Sequence, residues 1–558
     1  MATLYWGPSG GTSTGTWSAV GITNWFTDVG RVVPAVSAPT SADDVIFDAA
    51  SDNGTTFNVT LGVGAVCRDI TVSNLDFTMT LTHSNPWVVH GSLSFPATLL
   101  TRAGFNTITF AATGAATISM NGYNLDTAVT FNGVGGVWQL LSDFGTNNPA
   151  RTNSTVTLTN GTINLNNFVL YAVQFASSNS NARTVAFGTG RISIYGNNTN
   201  AWSVATATNF TYTGTPNVYA TYSGSTGGRN LNHGTSAGGT EANTPDFYIT
   251  AGTDLISCFA ARNIDFTGFS GTLSGSAHNI YGNVTLSTGM TVGASANAWT
   301  FASTNATPRT ITSNGKTISQ PVTFNGVGGS WSFVDAFAVA ATYTVTLTNG
   351  TLNGNGQAVS LSDFALGAGT KTLTLGSGTW TVFGSGTAWN ANTNVTNLTV
   401  SASTGTISMT SASAKIFAGG AKTWPTLNQG GAGALTIQQS NTFANITDTV
   451  QPATVTLTSG TTQTVSAFSL AGTAGNLITL NSSSAGTQAT LSDSSGVNSV
   501  SFVSIQDINA TGGAIWDAPT TNGNVDAGNN TGWNFGVPFS YDIEFSPALR
   551  SFTERKHF

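Results

Sequence analysis

The chain alternates apolar and polar residues in short runs. Val156-Thr-Leu-Thr159 and Thr372-Leu-Thr-Leu375 place a bulky apolar side chain at every second position. A period of two sends alternate side chains to opposite faces of an extended strand. The runs end in Asn-Gly or Gly-x-Gly, residues that accept the positive φ of a tight turn. Strands of this kind recur about every ten residues, so the pattern predicts an all-β protein of many short strands.

Longer self-similarity organises these strands. Val129-Thr-Phe-Asn-Gly-Val-Gly-Gly-Val-Trp138 returns 193 residues later as Val322-Thr-Phe-Asn-Gly-Val-Gly-Gly-Ser-Trp331. Thr155-Val-Thr-Leu-Thr-Asn-Gly-Thr162 returns at Thr344–Thr351, and Cys67 is matched by Cys258. Two copies of one unit of roughly 190 residues explain the set, with small loop insertions between them. The organisation expected is a Trp/Gly-rich cap over 1–53, unit A over 54–245, unit B over 246–430, a β-helical section over 431–536 and a distinct tail over 537–558.

Two architectures accommodate such repeats: an elongated β-solenoid, or parallel β-helix-like rod, and a row of tandem β-sandwiches. Stacked coils need the same residue type at the same place on successive turns, which suits the Thr and Asn runs. Sandwich rows bring Pro-rich linkers and fresh charge at each boundary, and none is visible. The solenoid is therefore the expected fold. Winding about 480 residues at roughly 20–35 per coil gives roughly 14–24 coils, a rod on the order of 65–115 Å long at about 4.8 Å per coil.

Composition narrows the function. Only 39 of 558 residues are charged, 16 Lys+Arg against 23 Asp+Glu, and Gly reaches 65. Helices lack the charged residues their exposed faces prefer, and 40% hydrophobic residues argue against disorder. A net charge of −7 without a basic stretch excludes a nucleic-acid partner. No apolar run is long enough for a membrane-spanning helix, so no membrane insertion is expected. The opening Met1-Ala-Thr-Leu-Tyr-Trp-Gly7 lacks the basic and apolar regions of a signal peptide. Assembly in a host cytoplasm into a virion released by lysis would fit that absence.

Chemistry-bearing clusters are sparse. His83, His90, His233, His278 and His557 are scattered, so no zinc site is expected. Asp43, Asp44, Asp48 and Asp52 form the densest acidic run, a candidate calcium site, although capping turns use Asp in the same way. Asp76 and Asp265 occupy matching Asn-x-Asp-Phe-Thr segments and read as turn or ladder residues. Trp138, Trp331, Trp202 and Trp389 come in pairs between the units and read as core, with outward sugar stacking the alternative. Cys67 and Cys258 read as buried small hydrophobes. No catalytic residue and no cofactor are expected. In the tail, Phe539, Phe545, Leu549, Arg550, Phe552 and Phe558 suggest a docking peptide, with a helix or strand folded over the terminal coil the alternative.

The opening Tyr5-Trp-Gly…Gly15-Thr-Trp…Asn24-Trp25 and Pro39-Thr-Ser-Ala-Asp-Asp-Val-Ile-Phe-Asp48 carry a resemblance, as do Asn232-His-Gly-Thr-Ser-Ala-Gly-Gly-Thr-Glu-Ala-Asn243 and Asp507-Ile-Asn-Ala-Thr-Gly-Gly-Ala-Ile-Trp516. Over nearly its whole length the chain resembles Gly/Thr-rich β-repeat structural proteins of tailed phages, especially marine and cyanobacterial ones. The resemblance implies a virion structural or host-contact role and no established catalytic residue. The expectation is a non-enzymatic tail-fibre or spike-like rod that attaches to a glycan or other receptor on the host surface. It would bind other virion proteins through the tail, and form a homotrimer if tail-attached. A capsid decoration or head-fibre protein is the alternative, followed by a glycan-degrading tailspike or a bacterial adhesin.

Overall fold

The computed structural model describes residues 2–17, 24–146, 155–197 and 199–536. About 49% of the chain is strand, and the described residues hold no α-helix, only the 3₁₀ turns Ala49–Ser51 and Thr520–Asn522. The chain winds about 22 turns of a β-solenoid, the fold its alternation pattern predicts. It divides into two compact units: Met1–Gly378 with Thr396–Ser401, and Thr379–Val395 with the described residues from Ala402 onward.

In the first unit each strand pairs in parallel with the strand one coil later, so equivalent residues stack into columns. Trp87, Ile108, Val129, Val156, Phe175 and Trp202 form one inward column through consecutive register partners. The steps between them are 21, 21, 27, 19 and 27 residues, so coil length varies while register holds. All six are buried, and their aromatic members stack from coil to coil: Phe175 lies 4.8 Å from Trp202 at an interplanar angle of 18°. The outward positions between them carry Thr and Asn. Asn160 donates from Nδ2 to Asn132 Oδ1 at 2.7 Å, and Asn349 to Asn325 at 2.8 Å, the same ladder in both copies.

The recurrent Phe-Asn-Gly-Val-Gly-Gly motif is a bulge within the twelve-residue strands Val129–Leu140 and Val322–Phe333. The ladder to the next coil shifts register on either side of Asn132 and again around Asn325. A Cβ on Gly133 or Gly136 would sit 1.8 or 2.1 Å from the Ala112 carbonyl oxygen, so only glycine permits that approach. Trp138 and Trp331 are fully buried beneath the two bulges. Corners use another device. Asn166 and Asn355 adopt φ of 46° and 51°, and each side-chain amide donates at 3.0 Å to a carbonyl one coil earlier, Leu140 and Phe333 respectively. Asparagine tolerates this conformation and satisfies a backbone acceptor at the same time.

The chain begins differently. Tyr5↔Phe26 and Trp6↔Trp25 pair antiparallel, and Trp6, Trp17, Trp25 and Phe47 close into one aromatic cluster. Arg31, 3% exposed, is held within this region by the carbonyl oxygens of Trp6 and Val29 and by the Asp48 carboxylate.

The second unit builds three-sided coils. Lys415–Ala418, Leu435–Gln438, Ala453–Leu457, Ile478–Ser482 and Val503–Gln506 stack on one side. Thr426–Gln429 and Ile446–Asp448 belong to the second, and Thr462–Val465, Ala489–Ser492 and Ile508–Thr511 to the third. Lys415 heads an inward column that continues through Leu435, Val455, Leu480 and Ile505. Its buried ammonium donates to the carbonyl oxygens of Ser411, Gly431 and Gly433. No helix of the described residues is long and apolar enough to cross a membrane.

Candidate functional site

Five successive strands of the first unit, Val169–Ala172, Arg191–Ile194, Asn217–Ala220, Asp246–Ile249 and Ile264–Asp265, turn one face outward. Their alternation buries Leu170, Ile192, Val218, Phe247 and Ile264. The residues between them form a column on the other face, Tyr171, Ser193, Tyr219, Tyr248 and Asp265, each in register with the next, in which Ser193 is itself covered.

Parallel register determines how the tyrosines meet. Tyr219 and Tyr248 stack with ring centroids 4.7 Å apart and an interplanar angle of 17°. On the opposite side of Tyr219, one coil earlier, the Arg191 guanidinium carbon lies 4.9 Å from the ring centroid. Exposed cation–π contacts of this kind contribute about 0.5–1 kcal/mol, enough to orient the guanidinium. With their faces occupied by stacking, the rings present edges outward. The hydroxyls of Tyr171, Tyr219 and Tyr248 have no protein partner among the described residues. Arg191 is exposed and has no carboxylate in ion-pair reach among the described residues. Burial, reinforced by the Asp246 and Asp265 carboxylates, raises the Tyr248 phenol above its ordinary pKa, so it stays a proton donor through neutral pH.

Neighbouring charges are already paired. Arg262 donates from Nε to Asp246 Oδ1 at 2.7 Å and lies over Tyr212. Asp265 Oδ1 accepts from the Thr267 backbone at 2.8 Å. At one end of the column Tyr171 helps line an open groove of about 420 Å³ with Ser142, Asp143 and Phe168. The face is thus a row of phenol and guanidinium donors on a rigid sheet, suited to hydrogen-bonding an acceptor-rich ligand.

The residues singled out in the sequence take other duties. Asp43 accepts from Ala2 N at 2.9 Å and from the Thr40 hydroxyl at 2.6 Å, Asp44 pairs with Arg68, Asp48 caps Ala49–Ser51, and Asp52 accepts from Gly54 N at 2.8 Å. Among the described residues no three His, Cys, Asp or Glu side chains gather as a metal site. Trp138, Trp202, Trp331 and Trp389 are all fully buried and contribute to the core. Cys67 and Cys258 are buried free thiols, and burial raises both. Asp76 is exposed. Phe539, Phe545, Leu549, Arg550, Phe552 and Phe558 lie outside the described residues.

No family model, curated protein or solved structure matches the chain. The functional reading therefore rests on this face and on the fold that presents it.

Sequence reasoning passed over the tyrosines in favour of the tryptophans. A signal was present: seven of the eleven tyrosines (171, 195, 212, 219, 222, 248 and 281) fall within 111 consecutive residues. Ile192-Ser-Ile194, Val218-Tyr-Ala220 and Phe247-Tyr-Ile249 also place a polar or phenolic residue between two buried ones on successive coils.

Proposed function

We propose that the protein is a non-enzymatic virion component of a tailed phage, a fibre- or spike-type β-solenoid that attaches to a glycan on the host surface. The observation that carries this reading is the outward row of Arg191, Tyr219 and Tyr248 on a stacked parallel sheet. Sugars are dense in hydroxyl acceptors and donors, and a row of unpartnered phenols held at the inter-coil spacing offers matched partners at low ordering cost. The rest of the exterior supports it. Thr, Ser and Asn ladders hydrogen-bond polar ligands weakly and attract few charged bystanders, as only 39 of 558 residues are charged. The resemblance to Gly/Thr-rich phage β-repeat proteins points the same way.

In this reading the chain is displayed on the particle, the 537–558 segment binds other virion proteins, and a tail-attached form is a homotrimer. Capsid decoration is the runner-up within the class. Mass spectrometry of purified particles tests the location, and absence of the chain from particles refutes it. Incubation with host polysaccharide tests the non-enzymatic role: release of new reducing ends, lost on an Asp→Asn change, would make the protein a glycan-cleaving enzyme.

A further inference from the structure

We infer that the Arg191–Tyr219–Tyr248 row selects acidic polysaccharides, with Arg191 taking a sugar carboxylate and the two phenols hydrogen-bonding the flanking ring oxygens and hydroxyls. This rests on the attachment reading above and adds the ligand's chemical class.

The stack leaves hydrogen-bond donors free. The Arg191 guanidinium carbon lies 4.9 Å from the Tyr219 ring centroid, which holds beside the row a planar N–H fork of the shape that matches a carboxylate. Arg191 is exposed and lacks a carboxylate partner among the described residues. Arg31, Arg68, Arg102, Arg229 and Arg262 each contact an aspartate. The strand neighbour of Arg191, Ser193, is in register with Tyr219, and the Arg191 guanidinium itself reaches over the Tyr219 ring, which makes it part of the row. The donors follow one another along successive coils: Arg191, then Tyr219, then Tyr248. Coils about 4.8 Å apart approximate the length of a sugar ring, so adjacent residues of a glycan chain running along the column meet adjacent donors. All three groups donate, and a carboxylate-bearing sugar supplies strong acceptors. Beyond Tyr248 the column passes to Asp265 before continuing through Thr285, and the Asp265 charge disfavours a second acid group there, so acid groups are recognised at the Arg191 end.

The test is affinity electrophoresis of the full-length protein through gels containing polygalacturonate, dextran or neither, repeated with Arg191→Gln, Tyr219→Phe and Tyr248→Phe. All three substitutions are on an outward face, and circular dichroism checks that each variant keeps its strand content. Wild type is expected to be retarded more by polygalacturonate than by dextran. Arg191→Gln should weaken polygalacturonate binding about tenfold or more, the size of a lost charge-assisted hydrogen bond, and leave dextran unchanged. Each Tyr→Phe change keeps the ring stack, removes one hydroxyl and weakens both ligands a few-fold. Equal retardation by the two polymers, or Arg191→Gln without effect, overturns the acidic preference while leaving the attachment reading standing. No retardation by any polysaccharide, including host-surface extract, overturns both. A single-stranded oligonucleotide bound as tightly as polygalacturonate, and lost in Arg191→Gln, overturns the assignment to polysaccharide.

Discussion

Acid weakens the first unit through two histidines that the fold keeps neutral. His83 is 1% exposed, and among the described residues neither ring nitrogen has a hydrogen-bond partner. His233 is fully buried beside Trp202 and Phe210. Burial pushes both imidazoles down to about 4, with the Arg102 charge adding to the effect at His83 and the Arg183 charge at His233. In the unfolded chain both return to about 6.5. Between those values the unfolded state binds more protons than the folded one, so stability is fully present above about pH 6.5 and falls as pH falls towards 4. At pH 5 each histidine removes about 2 kcal/mol relative to pH 7, about 4 kcal/mol together, a large part of a typical domain's margin. Urea titrations at pH 7 and pH 5, read by fluorescence of the buried tryptophans, measure the loss. His83→Phe leaves no hydrogen bond unmade and should reduce the difference by about 2 kcal/mol, and adding His233→Gln by about as much again, while His278, also lowered by burial, keeps its own share. An equal loss between pH 7 and pH 5 in wild type and the double variant would mean that neither histidine is its source.

Three further outcomes follow from local geometry. Gly161 has φ +87°, and a Cβ there would meet the Gly136 and Gly133 carbonyl oxygens at 2.6 and 2.7 Å, so Gly161→Ala should cost about 1–3 kcal/mol by urea denaturation, while Gly114→Ala, with nothing within 4 Å, should be near neutral. Arg229 and Asp254 form a fully buried pair, with two hydrogen bonds of 2.8 Å, so Arg229→Met should destabilise the first unit by about 3–5 kcal/mol and Arg229→Met with Asp254→Leu should recover much of that loss. Burial pushes Lys415 down to about 8, so its folded form releases a proton that the unfolded chain keeps to about 10.5. The second unit should therefore gain up to about 3 kcal/mol between pH 8 and pH 10.5, a rise in urea midpoint that Lys415→Met flattens.

The fold was legible because its signal is local. Alternation of period two and Asn-Gly turns require only neighbouring residues, and the 193-residue copy of Val129–Trp138 reappears as a strand of the same length and nearly the same burial. The buried tryptophans were legible for the same reason, since matching positions in two copies share one environment. The tyrosine row was not. Tyr219 and Tyr248 are 29 residues apart, whereas Val156 and Phe175, also register partners, are only 19 apart. With steps that vary this much, counting along the sequence does not show which side chains stack, and loop conformation decides it. The acidic run near the start misled in the opposite way. Asp43, Asp44, Asp48 and Asp52 are close in sequence, but each serves a separate turn or ion pair.

The asparagine ladders have a direction. At both matching sites the later amide gives its N–H to the earlier amide's oxygen, Asn160 to Asn132 and Asn349 to Asn325. Each ladder is a single step between two coils, so losing the coil that carries either asparagine leaves the other amide without its neighbour. The copy that relates the two sites lies 193 residues along the chain and carries both partners, so duplication in a block of several coils keeps each pair whole.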